Sequence, residues 1–342
     1  MVVSLSAAHG QELLAQAGGV PQLKEVVISS TRSEQNPDDL PMRIDVINAQ
    51  ALEEGQVRDL RDVARDQPNI TVPRSPARFT LASGSTGRDQ NAGFNIRGLE
   101  GNRVLMLVDG VRLPRSYVFS ANAFGSDYVD VWLLQRIEVL RGATSALYGS
   151  DGMGGLVNFI TADPSAFLKD GKTLGGRVSA AYDGDDDGKR LGATLAGRTN
   201  DTVQWLISAN VGRVNELENM GTNSAANVDR TLPNPQKDKN ASVLGKVVVT
   251  PGGGQRHVFT LEHVDKTADY ELLSARSKAP LTSTSVLGST SFTDMQRSRA
   301  TWEGNWRVNT AWADDVKAVL SYQDAQSREY ITEDRNTAAD RV

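Results

Sequence analysis

Asp183-Gly-Asp185-Asp186-Asp187-Gly188 places carboxylates at positions 1, 3 and 5 of a loop and glycine at position 6, the opening of a calcium-binding loop. Such a loop needs a bidentate glutamate at position 12, where this chain has Thr194. The flanks alternate as strands do, so an acidic hairpin turn at a water edge is expected instead. Gly149-Ser-Asp-Gly-Met-Gly-Gly155 is rich enough in glycine to cradle a phosphate. It lacks the lysine of a phosphate-binding loop, and Val157 stands where the third glycine of G-x-G-x-x-G belongs. A tight turn feeding a strand at Leu156 accounts for it better. His257 and His263 share one strand parity, but six residues of strand separate them by roughly 20 Å, too far to hold one ion. No Ser-His-Asp set and no G-x-S-x-G elbow can be assembled. The absence of cysteine excludes a thiol nucleophile, a disulfide scaffold and a cysteine-ligated zinc. The expectation is a protein that is not an enzyme, with no metal site and no intrinsic cofactor.

Arg97, Glu138 and Arg141 are of another kind. Each sits in an apolar strand or at its end, where an unpaired charge is costly. Two pairings are open. Glu138 and Arg141 can meet locally on a surface. Alternatively, these charges meet Glu262 and Glu303, which lie on the polar parity of later strands, and so hold one domain inside another.

The elements that would position them divide the chain in two. Residues 37–165 read as a mixed α/β domain. Met42 to Ile47 alternates and ends at Asn48, a good helix N-cap. Val57, Leu60 and Ala64 continue a helical spacing that Pro68 stops. Strands are expected at 94–98, 104–108, 137–140 and 156–160, with Asp109-Gly110 as a tight turn. A short helix and a glycine-rich loop are expected over 141–155. From 172 to 342 the texture changes to long alternating segments split by turn-rich loops. Val203, Trp205, Ile207, Ala209 and Val211 share one parity; Gln204, Ser208, Asn210 and Gly212 share the other, and only Leu206 breaks the pattern. Four of the five tryptophans lie beyond residue 200. About seven such strands, near the ~9–11 residues that cross a bilayer at a tilt, predict transmembrane β-barrel strands with an aromatic girdle. A soluble β-sandwich is the alternative. The fold class is thus an α+β domain followed by antiparallel barrel strands.

Composition hides this. The 342 residues are 39% hydrophobic with a net charge of −5, ordinary for a soluble protein. Barrel strands are only half apolar and escape such averages. A mildly acidic chain gives no reason to bind nucleic acid.

Phe94-Asn-Ile-Arg-Gly-Leu-Glu-Gly-Asn-Arg-Val-Leu-Met-Leu-Val-Asp-Gly-Val-Arg112, then Gln135 to Gly142 and Ser145 to Asn158, resemble in order and spacing the plug domain of TonB-dependent outer-membrane receptors. Glu25-Val26-Val27-Ile28-Ser29-Ser30-Thr31 resembles the TonB box, which that family offers to the periplasmic TonB energy-coupling protein by strand addition. Residues 1–24 would then be an N-terminal extension, in part a signal remnant. The wording from Ile96 to Arg112 is similar to the haem and haemoglobin receptor branch. The resemblance implies a receptor in the bacterial outer membrane that imports haem from an extracellular haemoprotein, haem being cargo. It makes Tyr117 and Tyr128 candidate haem ligands, because tyrosinate ligates ferric haem. Arg97, Glu138 and Arg141 become plug charges facing Glu262 and Glu303 of the lumen. A ferric-siderophore or cobalamin receptor is the alternative in this class, and a soluble β-rich binding module the alternative outside it. Plugged barrels need about 22 strands, so the length is expected to hold a plug and the first third of a barrel.

Overall fold

The computed structural model describes residues 2–5, 44–73, 93–119, 122–124, 127–143 and 151–341. The expected TonB-box strand, Glu25 to Thr31, lies outside the described residues, as do residues 144–150 of the segment 141–155 expected to hold a short helix and a glycine-rich loop.

The α/β domain is a five-stranded sheet with two short helices. In chain order its strands are β2 (Ile44–Asn48), β5 (Val104–Val108), β6 (Val111–Arg112), β9 (Leu134–Arg141) and β10 (Gly155–Thr161), arranged β2-β9-β10-β5-β6. β10 runs parallel to β5 and antiparallel to β9. β5 and β10 are buried at every residue, which is why Val-Leu-Met-Leu-Val shows no alternation. The continuous helix expected after Asn48 is two helices, α1 (Ala49–Glu54) and α2 (Leu60–Arg65). Asn48 caps the first through Ala51 N, and Asp59 caps the second through Arg61 N and Asp62 N. Gln56, at φ 48°, turns the chain between them, so the local cap signals override the longer periodicity. Leu52, Leu60 and Val63 cover the sheet at Ile137, Val139, Val157 and Phe159. Two-stranded pairs lie beside this core: β3 (Ile70–Thr71) with β4 (Asn95–Ile96), and β7 (Tyr117–Phe119) with β8 (Asn122–Phe124). The strand expected at 94–98 ends early, because Arg97 and Gly98 take φ of 53° and 84° and turn the chain.

The second part is one antiparallel sheet of β11 (Leu174–Asp183), β12 (Gly188–Arg198), β13 (Val203–Asn215), β14 (Gln236–Gly252), β15 (Gln255–Glu271), β16 (Val286–Arg307) and β17 (Asp315–Arg335). Backbone pairing adds β1 (Val2–Leu5) to the β11 edge. The sheet is open, with β1 and β17 at its two edges. Its concave face holds the plug. Ser208, Asn210, Leu244, Glu262 and Arg299 are buried on that face, while Ile207, Val211, Leu261 and Leu320 are exposed on the other. Leu206 breaks the sequence pattern because it is an apolar residue on the inner face, where it packs with Leu133, Ala162, Leu168, Leu244 and Val264.

The outer face carries an apolar band whose edge moves along the register. The row Ile207–Gly245–Leu261–Ala300–Tyr322 lies within the band on all five strands. Four residues higher, Val211 aligns with Ala241, then Asp265, Gln296 and Gln326. The band therefore steps toward the short turns from β13 to β17. Tilted strands require this, since hydrogen-bonded neighbours lie perpendicular to the strand rather than level in a membrane. His257 stacks on Trp302 at 6.1 Å between ring centres and meets Trp306 edge-on at 5.3 Å, forming an aromatic cluster near the short-turn edge. Strands of 17 to 22 residues in β14–β17 exceed the expected length. They continue above the band, where Thr267, Asp269, Asp294 and Arg328 interrupt the apolar parity of the outer face. The connections at 216–235 and 272–285 are long and share the side of turn 184–187, the extracellular side of such a barrel.

Candidate functional site

The plug meets the wall along a seam of buried ions. Asp109 and Gly110 both take positive φ (49° and 79°), forming the turn between β5 and β6. That turn aims the Asp109 carboxylate away from its own hairpin. It accepts from Thr161 N at 2.9 Å, from Thr161 Oγ1 at 2.8 Å and from Arg299 Nη2 of the wall at 2.7 Å. Arg299 also donates through Nε to Glu262 at 2.9 Å and through Nη1 to the Val108 carbonyl at 3.2 Å. Arg297 pairs with the other oxygen of Glu262 and donates to the Tyr128 carbonyl at 3.0 Å. Lys246 donates to Thr161 Oγ1 at 2.7 Å and to its carbonyl at 3.2 Å. Burial alone would raise the Asp109 carboxyl. The charges of Lys246 and Arg299, with the hydrogen bonds from Arg299 and Thr161, hold it well below the usual carboxylate range.

The seam continues in both directions. Toward the loops, Lys266 pairs with Asp127 at 2.6 Å, and Ser242 donates to Asp130. Toward the short turns, Arg256 pairs with Asp163 at 2.7 Å. Burial opposes ionisation of Asp163, but the Ser165 hydrogen bonds, Lys246 and Arg256 keep its carboxyl low. Wall residue Met295 also joins the plug's own apolar core.

On the other flank a cleft of about 1040 Å³ separates α1 and α2 from β11–β15 at the loop side. Asp59, Asp62 and Arg61 of the plug face Arg190 and Asp238 of the wall across it. Two partly exposed ion pairs flank it: Arg58 with Asp183 of the acidic turn, and Glu53 with Arg177.

The pairing expected from sequence has the wrong polarity. Arg141 stays in the plug, 2.6 Å from Asp45, and Glu138 meets Arg136 at 2.9 Å. Arg97 is exposed in its turn. Glu303 pairs within the wall with Lys317 at 3.0 Å. Among the five predicted charges, Glu262 lies in the seam, bridging two wall arginines rather than a plug arginine. Across the seam the plug supplies carboxylates and the wall supplies cations. Sequence reading missed Asp109, Asp127, Lys246, Lys266, Arg297 and Arg299. Their trace was cations on the lumen parity of long strands, facing a domain whose turns carry aspartate.

The two tyrosines differ. Tyr128 is 7% exposed within the plug core, and burial pushes its phenol up, so it is unsuited to bind a ligand as tyrosinate. Tyr117 is 68% exposed at the start of the β7–β8 hairpin. The base of that hairpin is fixed. Asn102 exchanges two hydrogen bonds with Ser116, at 2.9 and 3.0 Å, and Asp151 accepts Arg112 and Arg115 at 2.5 and 2.7 Å.

Known proteins resemble both parts. The family model of the TonB-dependent receptor plug domain matches residues 36–156. A hemin receptor of Yersinia enterocolitica is 29% identical over 209 residues, 61% of this chain and 28% of that protein. The vitamin B12 transporter BtuB of Vibrio vulnificus is 34% identical over 161 residues, 47% of this chain and 23% of that protein. The chain thus spans about a quarter of these curated relatives. The alcaligin outer-membrane receptor FauA of Bordetella pertussis shares the fold, with a TM-score of 0.59 at 15% identity over 91% of this chain and 51% of that one. A matched plug domain, seated by buried ions against tilted strands with an apolar outer band, identifies the chain as part of a TonB-dependent receptor of the bacterial outer membrane.

Proposed function

We propose that this receptor imports haem, taken from an extracellular haemoprotein, into the periplasm under power from the TonB protein. The observation that carries the reading is the exposed Tyr117 on a hairpin whose base is fixed by Asn102 and Asp151. The wording from Ile96 to Arg112 and the similarity to hemin receptors support haem as the cargo. In this account Glu25 to Thr31 is the TonB box, 37–165 the plug and 172–342 barrel wall. Ligand bound at the loop side biases the TonB box toward its partner, the partner pairs with it as an added strand, and the plug rearranges. The proton gradient of the inner membrane supplies the energy through that partner.

The test is a hemin titration of the receptor extracted from outer membranes in mild detergent. A shifted Soret band, weakened in Tyr117→Ala, is expected. Absence of a shift in the unmodified receptor would transfer the reading to a ferric siderophore or to cobalamin, which the 34% identity to BtuB favours as the second choice.

A further inference from the structure

Just above the apolar band, three cations stand side by side on the outer face of neighbouring strands. Lys189 of β12 is in register with Arg213 of β13, and Arg213 with Lys239 of β14. Lys237 follows two residues higher on the same face. Neighbouring strands are about 4.8 Å apart, so the first three form a row about 10 Å wide. Like charges directly opposite each other on one face destabilise a sheet. The row is therefore a cost that the described residues offset only at Lys189. Lys189 has a partial partner in Asp187 at 3.0 Å and lies over the Tyr182 ring. Arg213, Lys237 and Lys239 are exposed and form no ion pair with another described residue. Asp269 is opposite Lys237 in register at the outer rim.

The surroundings say what would neutralise the row. Directly below it are Leu191, Val211, Ala241 and Val243, within the band that faces lipid. The row lies on the side of the long connections, at the height of the outer-leaflet headgroups. In the same register the outward face continues through Thr267 of β15 and Asp294 of β16 to Arg328 of β17, so cations stand on adjacent strands only at β12–β14. The footprint is thus confined to β12–β14, with apolar wall beneath and positive charge above. We infer that Lys189, Arg213, Lys237 and Lys239 form a docking surface for a phosphate-bearing lipid headgroup of the outer leaflet, its acyl chains lying along Leu191, Val211 and Val243. Basic residues next to a membrane attract anionic headgroups in this way. The inference rests on the outer-membrane placement and is independent of the cargo.

The test measures binding of lipid A bisphosphate and of its dephosphorylated form to the detergent-extracted receptor by native mass spectrometry. The unmodified receptor should prefer the phosphorylated form by about tenfold or more. The double variant Arg213→Gln/Lys239→Gln should lose that preference, and Arg328→Gln, an outward cation outside the row, should keep it. These side chains face outward, so the variants should extract and unfold like the parent. Equal binding of the two lipid forms, or an unchanged preference in the double variant, would overturn the inference while leaving the receptor in the membrane. Displacement of the lipid by millimolar inorganic phosphate would also overturn it, by assigning the row to a soluble anion.

Discussion

The two flanks of the plug meet the same wall by different physics. On the β14–β16 flank, Asp109, Glu262, Arg297 and Arg299 are tied by hydrogen bonds, and all but the partly exposed Asp109 are closed off from water. On the β11–β12 flank, Arg58–Asp183 and Arg177–Glu53 bridge a wet cleft with partly exposed side chains. A buried network adds little net energy over an apolar contact, but breaking it leaves a charge stranded. A solvated pair is worth at most about 1 kcal/mol. The first flank therefore fixes where the plug sits, and the second leaves room for it to adjust.

Substitutions can break that contrast. The largest effect is expected from Arg299→Ala, which removes the buried cation shared by Asp109 and Glu262 and should cost about 3–5 kcal/mol, read as a lowered denaturant midpoint for the plug. Leu206→Ala empties the apolar contact beside the seam and should cost roughly 3 kcal/mol in the same measurement. Acid should follow the seam as well. Asp109 and Asp163 titrate below their ordinary value of 3.8 when folded. The stability they add is complete above that pH and lost as the pH falls below it toward their depressed values. Urea unfolding at pH 6 and pH 3 should record that loss, and Arg299→Ala should show a smaller difference between the two. The smallest effect is Arg58→Ala. It should change the midpoint by no more than about 1 kcal/mol and fade in high salt. A large Arg58 effect would erase the distinction between the flanks.

Local chemistry was readable along the chain and long-range partnership was not. Asn48 as an N-cap, the Asp109-Gly110 turn and the parity of Val203 to Val211 each depend on neighbours within a few residues, and each was readable. Leu206 looked like an error in the pattern because its partners Leu133 and Ala162 come from another domain. Strand ends in β15 to β17 were hidden because Thr267, Asp269, Asp294 and Arg328 break the apolar alternation of the outer face. The charges misled for the same reason. Arg141 seemed to need a lumen glutamate, but Asp45 on the neighbouring β2 was nearer, and nothing local announces a neighbour in a sheet. Tyr117 and Tyr128 have similar surroundings in sequence, and only packing separates an exposed hairpin from a core.

The central claim, a ligand-responsive receptor driven through residues 25–31, is tested most directly by crosslinking. A Val27→Cys receptor in outer membranes should crosslink to the TonB protein several-fold more with hemin than without it. Equal crosslinking in the two conditions would contradict the account.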